Sequence, residues 1–163
     1  MKLPLGHFLP SIIYALTLAG CSAESAPSQA GPCNELVHDG STHSVALASN
    51  PPSPPLGGTI SEGNYVLTSA RLFSVPRDVN ITRRLGASLQ IRGDVIAQVT
   101  ELDGALERNT FKYTAANNML SLVDSCAASS TKTHGYSATS AGLEIFVQEP
   151  GTGYTLQQIF SKR

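Results

Sequence analysis

The chain has 163 residues, 11 basic and 12 acidic side chains, a formal net charge of −1 and 41% apolar residues. That balance offers little to a nucleic-acid backbone, and the length suits one folded domain with a tether rather than two separate cores. Tryptophan is absent and there are three cysteines.

The first element is an apolar run from Phe8 to Leu18 behind a single lysine, Lys2. A membrane-spanning helix needs roughly 20 continuous apolar residues. This run is shorter, is broken by Pro10 and ends in small and polar residues, so residues 1–20 read as a secretion signal. Its end, Leu18-Ala19-Gly20-Cys21, resembles the lipobox of bacterial lipoproteins at all four positions. The resemblance implies lipidation of the Cys21 sulfur, cleavage just before it and a mature N-terminus held on a membrane by acyl chains. Each buried methylene of such a chain contributes about 0.8 kcal/mol. Ser22, where sorting families place Asp to retain a lipoprotein, implies export to the outer membrane of a bacterial cell envelope.

Residues 21–32 are small, polar and proline-containing, a composition that cannot bury enough surface to fold alone. They form a lipidated flexible tether averaging about 20 Å. Cys33 and Cys126 remain as an even pair in an exported chain, and a disulfide is expected. In the chain-entropy model, closing so long a loop stabilises the fold by about 4–5 kcal/mol. The bridge clamps a leading segment, residues 33–56, in which ELVHDGSTHSVALA offers one edge strand and Asn50 to Pro55 a stiff extended connector. His38, His43 and His134 stand at no ligand spacing that would make the cysteines a metal site, and no cofactor is expected.

Residues 57–163 alternate short apolar-patterned runs with turn residues and show no sustained helical period. Strands are expected over 63–73, 84–92, 95–102, 106–115, 119–126, 133–139, 142–148 and 153–161. An internal repeat supports the hairpins: YTAANNMLSL (113–122) and YSATSAGLEI (136–145) pair Tyr113 with Leu122, Ala115 with Leu120, Tyr136 with Ile145 and Ala138 with Leu143. A third hairpin puts Leu85, Ala87, Leu89 and Ile91 on one face with Val95, Ala97 and Val99, given an odd-length turn at Arg92-Gly93-Asp94. A fourth, around Pro150 and Gly151, aligns Val147 with Tyr154 and Ile145 with Leu156.

Consecutive antiparallel runs with short connections predict an all-β chain, an antiparallel up-and-down β-barrel of about eight strands, with a two-sheet β-sandwich as the alternative. Leu85, Leu89, Ile91, Val95, Val99, Tyr113, Leu122, Tyr136, Ile145, Tyr154 and Leu156 are the expected barrel interior. Their bulk favours a filled core with at most a shallow mouth.

Gly63-Asn64-Tyr65 at the start of the first long strand and Phe160 to Arg163 at the end of the last are similar to lipocalin-like proteins, in which a G-x-W packs against a late basic residue. Tyr65 stands where that family has tryptophan. The resemblance implies the barrel and, with it, a small apolar ligand inside. The stretch GGTISEGNYVLTSA, with the long connector before it, also resembles uncharacterised bacterial lipoproteins, a likeness that implies an address and no activity.

No serine lies in a G-x-S-x-G elbow, and His134 in its polar THG stretch reads as a surface histidine near a turn. Arg71, Arg77, Arg83, Arg84 and Arg92 crowd a stretch whose one acid is Asp78, and form a candidate anion-binding rim. The plainer account of the same charges is cross-strand pairing with Asp94, Glu101, Asp103 and Glu107 on a solvated face. The sequence therefore predicts a noncatalytic, lipid-anchored envelope protein that contacts a macromolecule such as an envelope protein. The alternative is a lipocalin-like carrier of a small apolar ligand, and an enzyme is not expected.

Overall fold

Period-two patterning becomes strands in the computed structural model, which describes residues 33–75, 81–126, 130–148 and 151–163. The secretion signal, the lipobox with Cys21 and the tether lie outside the described residues, as does Arg77. The described residues form ten strands: β1 (His43–Ser44), β2 (Ala46–Ala48), β3 (Gly63–Phe73), β4 (Arg84–Arg92), β5 (Val95–Leu102), β6 (Ala105–Ala116), β7 (Met119–Asp124), β8 (Thr131–Ala138), β9 (Gly142–Gln148) and β10 (Thr155–Lys162). No helix occurs among the described residues. Each strand from β4 to β10 pairs antiparallel with the next, β10 returns to β3, and β3 pairs with β4. The ring is therefore a closed eight-stranded barrel with β1 and β2 outside it, and the two-sheet alternative is discarded. Closure leaves the ring without the exposed edges that invite pairing with other chains.

The repeat hairpins adopt the expected registers, Tyr113 opposite Leu122 and Tyr136 opposite Ile145. Two other registers differ from expectation. Arg92 pairs with Val95, so Gly93-Asp94 is a two-residue turn rather than an odd-length one. Gly93 takes a φ of +55°, as the favoured short hairpin turn requires to match the strand twist. One residue of slip reverses every face: Ile96 now opposes Ile91 and joins the core, while Val95 and Val99 turn outward. Val99 is nonetheless fully buried, because Ser88 and Arg108 on either side of it both hold the leading segment. On the other side of the ring, Leu156 rather than Tyr154 opposes Val147, a shift of two residues that preserves the faces.

A bulge in β3 also resets the inward pattern. Ile159 opposes Ser69 and Phe160 opposes Leu67, which leaves Thr68 as the extra residue, its hydroxyl donating to the Ile159 carbonyl at 3.1 Å. Inward positions change from Tyr65 and Leu67 to Ala70 and Leu72.

The leading segment wraps the barrel as a belt. It starts at Cys33, at disulfide distance from Cys126 with the Cα atoms 5.7 Å apart. Asn34 donates to the carbonyls of Gln98 and Asn109, Arg108 Nε donates to the Leu36 carbonyl, and His38 and Asp39 contact Ser88 on the outside of β4. β3 and β4 pair over only Gly63–Val66 and then part. The belt fills that gap, with β1 antiparallel on β4 and β2 parallel on β3. It then crosses the outer wall, where Pro55 fits against Gly135 so closely that a Cβ there would lie 2.5 Å from its ring. Gly57 bonds Tyr136 and Ala138 through the backbone. Ile60 packs against the core beneath the barrel, and the Tyr65 and Tyr136 hydroxyls donate to the Ser61 and Gly58 carbonyls. One end of the barrel is sealed by this passage.

Candidate ligand site

Up-and-down order places the β4–β5, β6–β7 and β8–β9 turns at the sealed end and the β3–β4, β5–β6, β7–β8 and β9–β10 connections at the other. The expected interior residues divide accordingly. Leu85, Leu89, Ile91, Leu122, Tyr136 and Ile145 belong to the packed core with Tyr65, Leu67, Ile96, Phe111, Leu120, Leu143 and Phe160. Tyr113 and Leu156 are half-buried against it. Burial, and Tyr113 beside it, push the Tyr65 phenol above its ordinary pKa, so this ring contributes as a neutral hydrogen-bonding group.

Above that core the described residues do not fill the barrel. A cavity of about 550 Å³ opens at the unsealed end. Its apolar wall is Val45, Leu72, Ile81, Leu85, Leu102 and Leu156, and its rim carries Thr82, Arg83, Thr152 and Tyr154. Tyr154, expected in the interior, thus stands at the mouth. Three of the wall residues are delivered by specific devices. Leu72 faces in because the β3 bulge shifts the pattern, Leu102 because the Gly93-Asp94 turn sets the β5 face, and Val45 because the belt bridges the β3/β4 gap. Leu85 and Leu156 were legible from alternation; Leu72, Leu102 and Val45 depend on those devices and were not, and Ile81 comes from the connection before β4.

The four described arginines of the expected rim do not come together, and Arg77 lies outside the described residues. Arg71 lies opposite Gln157 on the outside of β3, and Arg92 is at the sealed end beside Gly93. Arg84 points outward, its Nη2 donating to the Thr42 hydroxyl at 2.9 Å. Of the four described arginines Arg83 alone is in the cavity lining, and its Nε lies 3.9 Å from Asp103 with both side chains largely exposed.

His134 is not a surface histidine. It opposes Leu120, and partners across an antiparallel pair share a face, so its ring is turned toward the interior. Nδ1 is buried without a hydrogen-bond partner, and burial, with Lys132 nearby, lowers its pKa. Lys132, on the same inward face, holds its ammonium 5.9 Å from the Phe111 ring centroid, within cation–π reach.

A serine, a histidine and a carboxylate do come together on the outer wall: Ser88 Oγ lies 3.3 Å from His38 Nδ1, and His38 Nε2 lies 3.7 Å from Glu101. Ser88 is 3% exposed, donates to Asp39 Oδ1 and accepts from the Asp39 amide. A hydroxyl so enclosed cannot meet a substrate, and the cluster fastens the belt. Among the described residues no three His, Cys, Asp or Glu side chains group as a metal site.

The chain matches no known protein family, curated protein or solved structure.

Proposed function

We propose that this protein is a noncatalytic β-barrel, lipid-anchored in a bacterial envelope through Cys21, that binds a small apolar molecule in its open mouth. The observation that carries the reading is the cavity: about 550 Å³ with six aliphatic residues in its wall, within the roughly 300–1,000 Å³ typical of ligand sites. A packed barrel needs no such space, and every methylene moved from water into it gains about 0.8 kcal/mol. This ranks ligand binding above the contact with an envelope macromolecule that composition and motifs favour. The secretion signal and Leu18 to Cys21 support the anchor, and Ser22 supports the outer membrane as its address.

Native mass spectrometry of residues 22–163, made in an oxidising compartment and purified without detergent, tests the reading. The expected result is an added mass that denaturation releases and that Leu102→Trp, which fills the mouth, abolishes. Bare protein that also fails to take up an apolar fluorescent dye would overturn it and return the search to surface partners.

A further inference from the structure

The mouth is apolar below, and among the described residues that line it Arg83 is the one cation, at the edge. We infer that the cavity selects a single-chain amphiphile with an anionic head, its tail among Leu72, Leu85 and Leu156 and its carboxylate or phosphate on Arg83. This rests on the ligand-binding reading above and names the class of molecule bound.

Arg83 is the residue just before β4 and two residues from inward-facing Leu85, so on the same parity, and its stem rises from the wall that would hold the tail. Its one ion-pair partner among the described residues is Asp103, at 3.9 Å and largely exposed, and such exposed pairs contribute little. The Asp103 carboxylate is also committed elsewhere, its Oδ1 accepting from the Arg84 backbone N–H at 2.8 Å. The guanidinium fork therefore remains suited to a planar carboxylate or a phosphate. Thr82 brings a hydroxyl to the same edge. A neutral apolar molecule would leave these groups unused, whereas an amphiphile satisfies the wall and the edge together.

The probes are dodecanoate, dodecyl phosphate and dodecanol, titrated against residues 22–163 by displacement of an apolar fluorescent dye. The two anions should bind at least about tenfold tighter than the alcohol, as one charge-assisted bond provides. Arg83→Ala should remove that preference and leave dodecanol binding unchanged. Asp103→Asn, which keeps an acceptor for Arg84, should tighten the anions and not the alcohol. Added salt should narrow the gap. Equal binding of all three probes, or an Arg83→Ala effect equal on anions and alcohol, overturns the anionic head while the apolar-ligand reading stands. Failure of every probe to displace the dye overturns both.

Discussion

A histidine facing the inside of a barrel costs stability whenever it takes a proton, and His134 is so placed, opposite Leu120 with Nδ1 buried and unbonded. Burial first, and Lys132 second, hold its folded-state pKa below the ordinary 6.5. The unfolded chain therefore binds the proton more readily than the fold does. Stability from this residue is fully present above pH 6.5, falls as the pH drops through that value, and levels off below the lowered folded pKa. His134→Leu removes the titrating group while keeping an apolar side chain on that face. Thermal unfolding between about pH 8 and about pH 5 should show the wild type losing stability relative to this variant as the solution is acidified. A difference between the two that stays constant with pH would mean the ring is solvated in both protonation states.

At the scale of elements, the belt is what makes the ring of strands a cavity-bearing barrel, because β1 and β2 occupy the opening between β3 and β4 and Val45 lines the mouth. Its first fastening is Cys33 to Cys126. Replacing both cysteines by serine should lower unfolding stability by about 2–5 kcal/mol, with amide exchange rising first over residues 34–48, where the belt is held by side-chain bonds and two short strands. Equal acceleration throughout the barrel would show instead that belt and ring open as one unit. Its later fastening is steric: Gly135→Ala places a methyl group against Pro55 and should cost about 1–3 kcal/mol, as overpacking does. The eight ring strands were legible because their period-two pattern is local and the repeat fixes two registers by matching apolar residues. The belt's path was not, because Ser88, Asn34 and Gly135 gain their meaning from contacts far along the chain. The faces of β5 and of late β3 turned on one-residue events, the Gly93-Asp94 turn and the Thr68 bulge, and alternation alone does not announce a change of phase. The mouth cavity follows from those same events, so its wall was only partly readable, through Leu85 and Leu156.

For the whole molecule, the disulfide sets where the tether meets the barrel. Cys126 lies just past the end of the short β7 and meets Cys33 beside Thr110, midway along β6. A chain anchored through Cys21 would therefore join the barrel partway up its side, after a tether of only about 20 Å, and the surface of the mouth decides which end turns to the membrane. The β5–β6 hairpin at the mouth exposes Leu102 (37%) and Leu106 (53%), apolar side chains suited to a membrane surface, while Ile60 and the belt close the far end. An amphiphile that dissolves poorly in water then has its shortest route to the cavity directly from the bilayer. With the native cysteines paired, a single new thiol can report the orientation: Leu106→Cys at the mouth, Asp94→Cys at the sealed end. On lipid-anchored protein in vesicles, a bulky water-soluble maleimide should label the Asp94→Cys variant freely and the Leu106→Cys variant several-fold more slowly. Without the lipid the two rates should converge. Equal rates on vesicles would mean that the tether lets the barrel turn without preference, so that a ligand must cross water to reach the mouth.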